Sequence, residues 1–482
     1  MGSCSDMLTI PHLVVSALLV PAAQDAPAPS AHWGQFRGPN GSGTATGGLP
    51  DVLDAEETLL WAVEIPSGYS SPVVGGGRVF VTAATKDKLV TLCMDEETGE
   101  QVWEREVDYD GKRPGANSSA APTPATDGEH VYALFHHIGM IAYDMDGEEL
   151  WMNDLGAPFN IPHGLATSPV VHGGKILVQL DQDTDSALVC LDAETGDEVW
   201  RTERSGASHS YSTPAIHAPA EGPAMAIVSG SYQIAGYSME TGERVWWVSG
   251  SAWQSKAVPL IHGNRCIVSA YMASSSEFGL PPMPEDFADV LAEHDADDSG
   301  TISRDEWDHD MMQQTWFIWD RNGDDILDAD DYTYLRSTQT AKGGMFAIEL
   351  GGKGDVSETH VAWTYDARRG LSDLISPVLL GDTIYCLRDG GILTAFDAKT
   401  GEKQNDGRIG EPDQYYASPV AAGGRMLFTG MSGQLTVVEP GEEWETVSTT
   451  SVDAGRLWST PALAEGKILV RGQSKLFCFE RP

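Results

Sequence analysis

Along most of the chain, short apolar runs alternate with glycine-bearing turns, and the order in which they come repeats. A small residue and a proline open each unit. An apolar pair, a glycine turn and a second apolar run follow, as in SSPVVGGGRVFV around Pro72 and TSPVVHGGKILV around Pro169. The same step is read at Pro122, Pro214, Pro259, Pro377, Pro419 and Pro461. Successive steps are 50, 47, 45, 45, 118, 42 and 42 residues, so there are eight units and one of them is stretched. Each unit goes on to a third run ending near an acidic residue, a tight turn, and a fourth run carrying tryptophan. LCMDEETGEQVW ends at Trp103, AYDMDGEELW at Trp151, CLDAETGDEVW at Trp200 and YSMETGERVW at Trp246, while AFDAKTGEK keeps the turn without the tryptophan. Apolar runs this short between turn signals read as strands, and the Thr-Gly pair suits a turn in which glycine takes positive φ. Four short strands in a unit of about 45 residues predict a β-propeller blade.

The ends of the pattern match one another. The last unit, Pro461 to Glu480, has three strands, and LLWAVEIP (Leu59 to Pro66) is a tryptophan strand with no unit before it. That strand is expected to complete the last blade and close the ring, which removes its open edges. The fold expected is all-β, an eight-bladed propeller of four-stranded blades with a small α-helical insertion. The divisions are residues 1–24, 25–58 (linker and head), 59–283 (propeller, first part), 284–336 (insert) and 337–482 (propeller, second part).

The apolar run Met7 to Val20, ending in PAAQ, reads as a secretory signal peptide cleaved near Gln24, although no basic residue precedes it. It is too short to span a bilayer. Cys93, Cys190 and Cys478 fall at the same place in different repeats, too far apart to bridge, and read as small buried hydrophobes. With 71 acidic and 30 basic side chains the formal charge is -41, which repels nucleic acid and anionic lipid. Residues 285–331 alone hold 17 acids against 2 arginines.

The D-x-x-T-G-x-x-x-W turns at Asp95 and Asp192 make these units resemble the pyrroloquinoline-quinone-like repeat family. That family includes quinoprotein dehydrogenases and the propeller lipoprotein of outer-membrane assembly. The head HWGQFRGPNGSG (His32 to Gly43) and the tail from Tyr416 to Glu480 resemble a branch often met in planctomycetes. The resemblance implies the fold and leaves activity open, because this fold hosts enzymes and scaffolds alike. The dehydrogenases hold their quinone beneath a disulfide of adjacent cysteines, and no two cysteines here are adjacent. Their calcium-binding Glu/Asn pair and catalytic Asp have no assignable counterparts, and no Cys-x-x-Cys-His heme motif occurs. These departures argue against pyrroloquinoline quinone as cofactor.

The long step contains DADDSGTISRDE, which fits a twelve-residue EF-hand loop at every position. Asp295, Asp297, Ser299, the Thr301 carbonyl, Ser303 and Glu306 occupy positions 1, 3, 5, 7, 9 and 12, and Gly300 gives the sharp turn at 6. A second loop, DRNGDDILDADD, offers Asp320, Asn322, Asp324, the Ile326 carbonyl, Asp328 and Asp331. It departs in having Asp325 at position 6 and the shorter Asp331 at position 12, so a weaker Ca²⁺ site or a Mg²⁺ site is expected. Ile302 and Leu327, at position 8 of each loop, are expected to pair. Helices are read from Pro284, from Arg304 to Trp319, and over ADDYTYLRS, with a core of Trp307, Met311, Phe317, Ile318 and Trp319.

The insert follows a second strand and precedes a third, which puts it on the face where the lead-ins to the inner strands gather. Those lead-ins bring Tyr69, His163, His209, Tyr211, Trp253, Lys256, Arg368, Arg369, Tyr415, Tyr416 and Trp458 toward the axis, a set suited to a sugar, a quinone or a peptide. The adjacent pair His136 and His137 lies on a strand, where neighbours face opposite ways, and is not a metal pair. The expectation is a periplasmic or secreted calcium-binding propeller serving as an interaction or scaffold module, with a protein partner or small ligand on the insert-bearing face. The alternative is a quinone-dependent dehydrogenase or a sugar-active enzyme using the mouth.

Overall fold

The computed structural model describes residues 1–2 and 33–482, save 112–116, 137, 157–160, 162, 205, 271–281, 308–309, 368 and 442. The expected signal peptide, His137 and Arg368 lie outside the described residues. The chain folds as an eight-bladed β-propeller of four-stranded antiparallel sheets. Blade one comprises Val73–Gly75, Arg78–Ala84, Lys88–Asp95 and Gln101–Asp108. Blade eight is closed by the N-terminal strand Leu59–Glu64, which pairs antiparallel with Lys475–Glu480. The middle strands are buried along nearly their whole length, while the outermost strands alternate, as in Leu59–Glu64. Sheets stacked on both faces explain the continuous apolar runs, and solvent on the outer strands explains the alternation.

Two devices repeat from blade to blade. The tryptophan of the outer strand lies on the turn glycine of the next blade: a Cβ on Gly99 would meet the Trp61 ring at 2.6 Å, and one on Gly196 the Trp151 ring at 2.4 Å. The same indoles donate Nε1 to backbone carbonyls of that turn, Trp61 to Glu96 (3.1 Å), Trp103 to Met145 (2.9 Å) and Trp151 to Ala193 (3.2 Å). A β-bulge beside each tryptophan, at Leu59/Trp61 and Glu149/Trp151 for example, re-aims the side chain into the neighbour. Trp246 breaks the rule. Its next blade has a different turn, its indole covers Gly236 of its own sheet, and its Nε1 has no acceptor.

The second device is a ring of hydroxyls at the residue before each proline. Ser71 N–H donates to Thr123 Oγ1 (2.9 Å), Thr123 to Ser168 and Ser168 to Thr213 (3.0 Å each). Val258, Ser376, Ser418 and Thr460 continue the series back to Ser71, each at 3.0 Å. Thr123–Pro124, not Ala121–Pro122, is therefore the step of blade two, and the sequence register there is corrected by two residues. Val258 offers no hydroxyl to Thr213, so the ring is open at one place.

The head motif crosses the axis. Trp33 and Gly34 carbonyls accept from Val74 (2.9 Å) and Thr126 (2.7 Å), and Thr44–Ala45 pairs in parallel with Ala421–Ala422. Asn40 exchanges two hydrogen bonds with the Ile216 backbone (2.7 and 2.6 Å). Arg37, fully buried, donates to the carbonyls of Pro377 (2.7 Å), Pro419 (3.3 Å) and Gly41 (3.0 Å), and desolvation pulls its guanidinium down to about 9. The inner-strand edges face the channel, so a segment bonded to blades one, two, four and seven fills it.

The insert leaves blade five after Arg265–Ala270 and returns at Gly344–Glu349. It contains α1 (Phe287–His294), α2 (Asp310–Trp319) and α3 (Ala329–Thr340). Asp286 caps α1, so the helix begins beyond Pro284. Residues Arg304–Glu306 form a 3-10 turn before α2. The core of α2 also differs from expectation. Met312, Trp316 and Trp319 are buried and Phe317 is 78 % exposed, because the helix turns its i, i+4, i+7 row inward.

Candidate functional site

Ile302–Ser303 pairs antiparallel with Ile326–Leu327, bringing position 8 of the two loops together as expected. In the first loop, Asp295 accepts from Ser299 N (3.0 Å) and Gly300 N (2.8 Å). Asp297 also accepts from Ser299 N (3.0 Å). Ser299 Oγ donates to the Thr301 carbonyl (3.2 Å), and Ser303 Oγ donates to Glu306 (2.7 Å). Gly300 has φ 80° and Asp298 φ 57°. One oxygen each of Asp295, Asp297 and Glu306 lies within 4.8 Å of the others, a spacing one hard cation can span. Both Asp295 and Glu306 are held below the ordinary carboxylate range, chiefly by the N–H groups of Gly300 and Ser303 respectively. These donors keep the site anionic, so the residues present fit a divalent ion.

The second loop follows the same plan with longer bonds at position 12. The position-12 carboxylate bridges the N–H groups of positions 2 and 9 in both. Glu306 does so at 2.9 Å (Ala296) and 2.8 Å (Ser303), but Asp331 at 3.2 Å (Arg321) and 3.5 Å (Asp328). The missing methylene is visible as this shortfall. Asp320 accepts from Gly323, Asp324 and Asp325 N–H (2.7, 3.1 and 2.8 Å), and Asn322 from Asp324 N–H (3.1 Å). Asp324 takes Ile326 N–H (2.9 Å), and Asp328 caps α3. Asp325 adopts φ 62°, as a non-glycine at position 6 must. Burial pushes the Asp331 carboxyl up to about 6. Among the described residues, only the first loop brings three carboxylates together.

The mouth residues do not form one ring. Tyr69 packs edge-on to Trp458 with centroids 3.9 Å apart, Tyr416 lies 6.2 Å from Trp458, and the Trp458 Nε1 is without an acceptor. Across the mouth, His163 and His209 flank Tyr211 (6.2 and 6.0 Å), and Trp253 meets His209 at 5.3 Å. Lys256 is ion-paired with Asp373 (3.0 Å). Arg369, 76 % exposed, reaches Asp406 at 3.7 Å. Tyr415 is 2 % exposed in the core between blades, and desolvation raises its hydroxyl to about 12. It is a packing residue, not a mouth residue.

Sequence reasoning missed the partners of His209. Its Nδ1 faces the Asp183 carboxylate and its Nε2 lies 2.6 Å from the Gln254 amide. A ring proton on Nδ1 satisfies both contacts. Tyr232 and Gln254 nearby hold φ of 64° and 54° without being glycine. Asp183, His209 and Gln254 come from three different loops, and no spacing links them.

The model of the outer membrane protein assembly factor BamB family matches residues 45–183, 184–280 and 339–481. The chain belongs to this BamB-type family. The internal stretch that the family model leaves out, 281–338, lies within the insert. BamB from Moraxella catarrhalis is 11 % identical, with a TM-score of 0.53 over 88 % of this chain and 97 % of that one. A europium-containing methanol dehydrogenase is 10 % identical, with a TM-score of 0.63 over 93 % and 98 %. The quinohemoprotein alcohol dehydrogenase ADHIIG from Pseudomonas putida HK5 is 13 % identical, with a TM-score of 0.56 over 94 % and 80 %. At such identities the likeness is one of fold. No curated protein matches the chain in sequence. Among the described residues no helix is long and apolar enough to cross a membrane.

Proposed function

We propose that this BamB-type propeller is a calcium-binding, extracytoplasmic interaction or scaffold module, with an EF-hand pair inserted in blade five. The convergence of Asp295, Asp297 and Glu306 carries the reading. Three carboxylates so close repel one another, and a hard cation relieves that repulsion while ordering the loop. Family membership favours a role in protein assembly, and the insert-bearing face, with its aromatic and imidazole groups, is where a partner or small ligand would dock. The second loop would take Ca²⁺ more weakly, or Mg²⁺. A periplasmic or secreted address follows from the N-terminal pattern and the family. The test is calorimetric titration of Ca²⁺ into chelator-stripped protein beside Glu306→Gln. Binding in the parent that is lost in the variant supports the reading, and no heat in the parent defeats it.

A second reading, an oxidoreductase or sugar-active enzyme, draws on the Tyr69–Trp458 pair and its unpaired indole N–H. Red-shifted absorbance on adding pyrroloquinoline quinone with Ca²⁺, together with dye reduction by alcohols or sugars, would support it.

A further inference from the structure

A side chain of the second loop reaches the ring beside the packed core of the insert. Arg321, at position 2, extends its guanidinium to the carbonyls of Asp183 (2.5 Å) and Ala207 (2.9 Å). The first belongs to the link between second and third strands of blade three, the second to the lead-in of blade four. Beneath the guanidinium, at 5.1 Å, lies Tyr334 of α3, which packs edge-on against Tyr232 of blade four at 5.7 Å. The backbone N–H of the same Arg321 is one of the two that the Asp331 carboxylate holds. Asp331 and Tyr334 are three residues apart on α3, one turn of helix. On the ring side, Asp183 holds Nδ1 of His209, and His209 packs edge-on against Trp253. The groups run in contact from the position-12 carboxylate to the wall of the mouth.

Contact alone is not coupling. A cation shifts a conformation only if it binds the two states differently. The second loop supplies that difference. Its crowded carboxylates repel one another unless a cation lies between them, so occupancy decides how well the loop that carries Arg321 is ordered. The Asp331 carboxylate, one turn from Tyr334 on α3, accepts from the Arg321 N–H at 3.2 Å, so ordering of the loop bears on both side chains. In the first loop, Glu306 keeps both bonds short and no side chain of position 2 (Ala296) reaches the ring.

We propose that the second loop is a cation-operated lever on the mouth. Divalent-ion occupancy at Asp320, Asn322, Asp324 and Asp331 controls, through Arg321 and Tyr334, the order of the lead-ins that carry His209 and Trp253. The inference rests on the reading of the insert as a cation-binding pair.

The experiment is hydrogen–deuterium exchange of the full chain, read by peptide, in chelator and in Ca²⁺, with Arg321→Met beside it. Arg321 supplies no side-chain ligand, so the loops of the variant keep their donors. The expected result in the parent is slower exchange in both loops and at least a fivefold change in exchange over residues 206–212 and 250–256, the lower end of ordinary coupling strengths. In Arg321→Met the loop response stays and the mouth response disappears. If the parent loops respond and its mouth does not, the lever is refuted while the cation reading stands. If the mouth responds equally in Arg321→Met, the route through Arg321 is wrong. If neither loop responds, the cation reading fails and takes the lever with it. The parent comparison alone decides whether the loops and the mouth respond together, and a variant with Arg321→Lys, which keeps a cation but shortens the reach to two carbonyls, tests the route through Arg321 if Arg321→Met folds poorly.

Discussion

The two loops differ at position 12 by one methylene, and the bond lengths show what it does. Exchanging the two residues should exchange the behaviour of the sites. Glu306 reaches the N–H groups of positions 2 and 9 at 2.9 and 2.8 Å, and Asp331 only at 3.2 and 3.5 Å, the second beyond the usual hydrogen-bond range. The shortfalls, 0.3 and 0.7 Å, are smaller than the length of one added C–C bond, about 1.5 Å. Room for it exists, since Asp331 borders a cleft of about 630 Å³ between the second loop and blade three. Asp331→Glu should therefore restore two-oxygen contact and tighten the weak site by about tenfold, or about 1.4 kcal/mol. Glu306→Asp should weaken the strong site by a similar factor. Calorimetric titration of Ca²⁺ reads both: two classes of site in the parent, nearly one class in Asp331→Glu, two weak sites in Glu306→Asp. If Asp331→Glu leaves the weak class unchanged while Glu306→Asp loses the strong one, the account of position 12 is wrong for the second loop.

Three further outcomes follow from the ring. Gly196→Ala puts a Cβ 2.4 Å from the Trp151 ring at φ 75°, whereas Gly263→Ala meets nothing within 4 Å at φ 60°. Urea unfolding should show the first costing about 2–4 kcal/mol and the second about 1 kcal/mol, and equal costs would remove the seam from the argument. Val258→Thr supplies a hydroxyl acceptor for the Thr213 backbone N–H and should stabilise the fold by about 0.5–1.5 kcal/mol, whereas destabilisation would mean that the gap serves the packing of Val258 on Gly41. Asp95 and Asp397 are held below their ordinary range, mainly by the N–H groups of Thr98 and Thr400. Their contribution is present above the unfolded value and is lost as pH falls through the folded one. Asp95→Asn with Asp397→Asn, which keeps the acceptors, should move acid unfolding to lower pH; an unchanged midpoint counts against this share.

The blades were legible because each obeys one rule along the chain: apolar runs where sheets stack, alternation where they do not, and glycine where a tryptophan lands. The register of blade two was misread because AAPTP holds two prolines. The choice rested on small size before proline, whereas the physical requirement is a hydroxyl, which Thr123 has and Ala121 lacks. The loops were legible because their donors lie within twelve residues of one another. The α2 core was misassigned at Phe317 because clustered aromatics give no helical phase by themselves. The plug could not be read, since Trp33, Gly34 and Gly43 act through backbone carbonyls that no side-chain pattern reveals. The setting of His209 could not be read either, because Asp183 and Gln254 reach it only across two blade boundaries.

The location of the insert has a physical cause. A blade has turns at one end, between first and second and between third and fourth strands, and links at the other. The turn end is committed. Its glycines lie under the indoles of the preceding blade, and its carbonyls receive their Nε1 groups. Seventy extra residues there would break a seam with both neighbours. The head adds to this commitment by occupying the channel, with Arg37 and Asn40 bonded to inner strands or their lead-ins. The link between second and third strands carries no tryptophan seam. It lies beside the lead-ins, so anything added there enlarges the mouth face and touches the neighbouring blades, as Arg321 and Tyr334 do. An insertion tolerated by the fold is thereby brought to the face where the lead-ins gather. Under the proposed lever, cation control of that face came with the position, through Arg321 and Tyr334 reaching the wall.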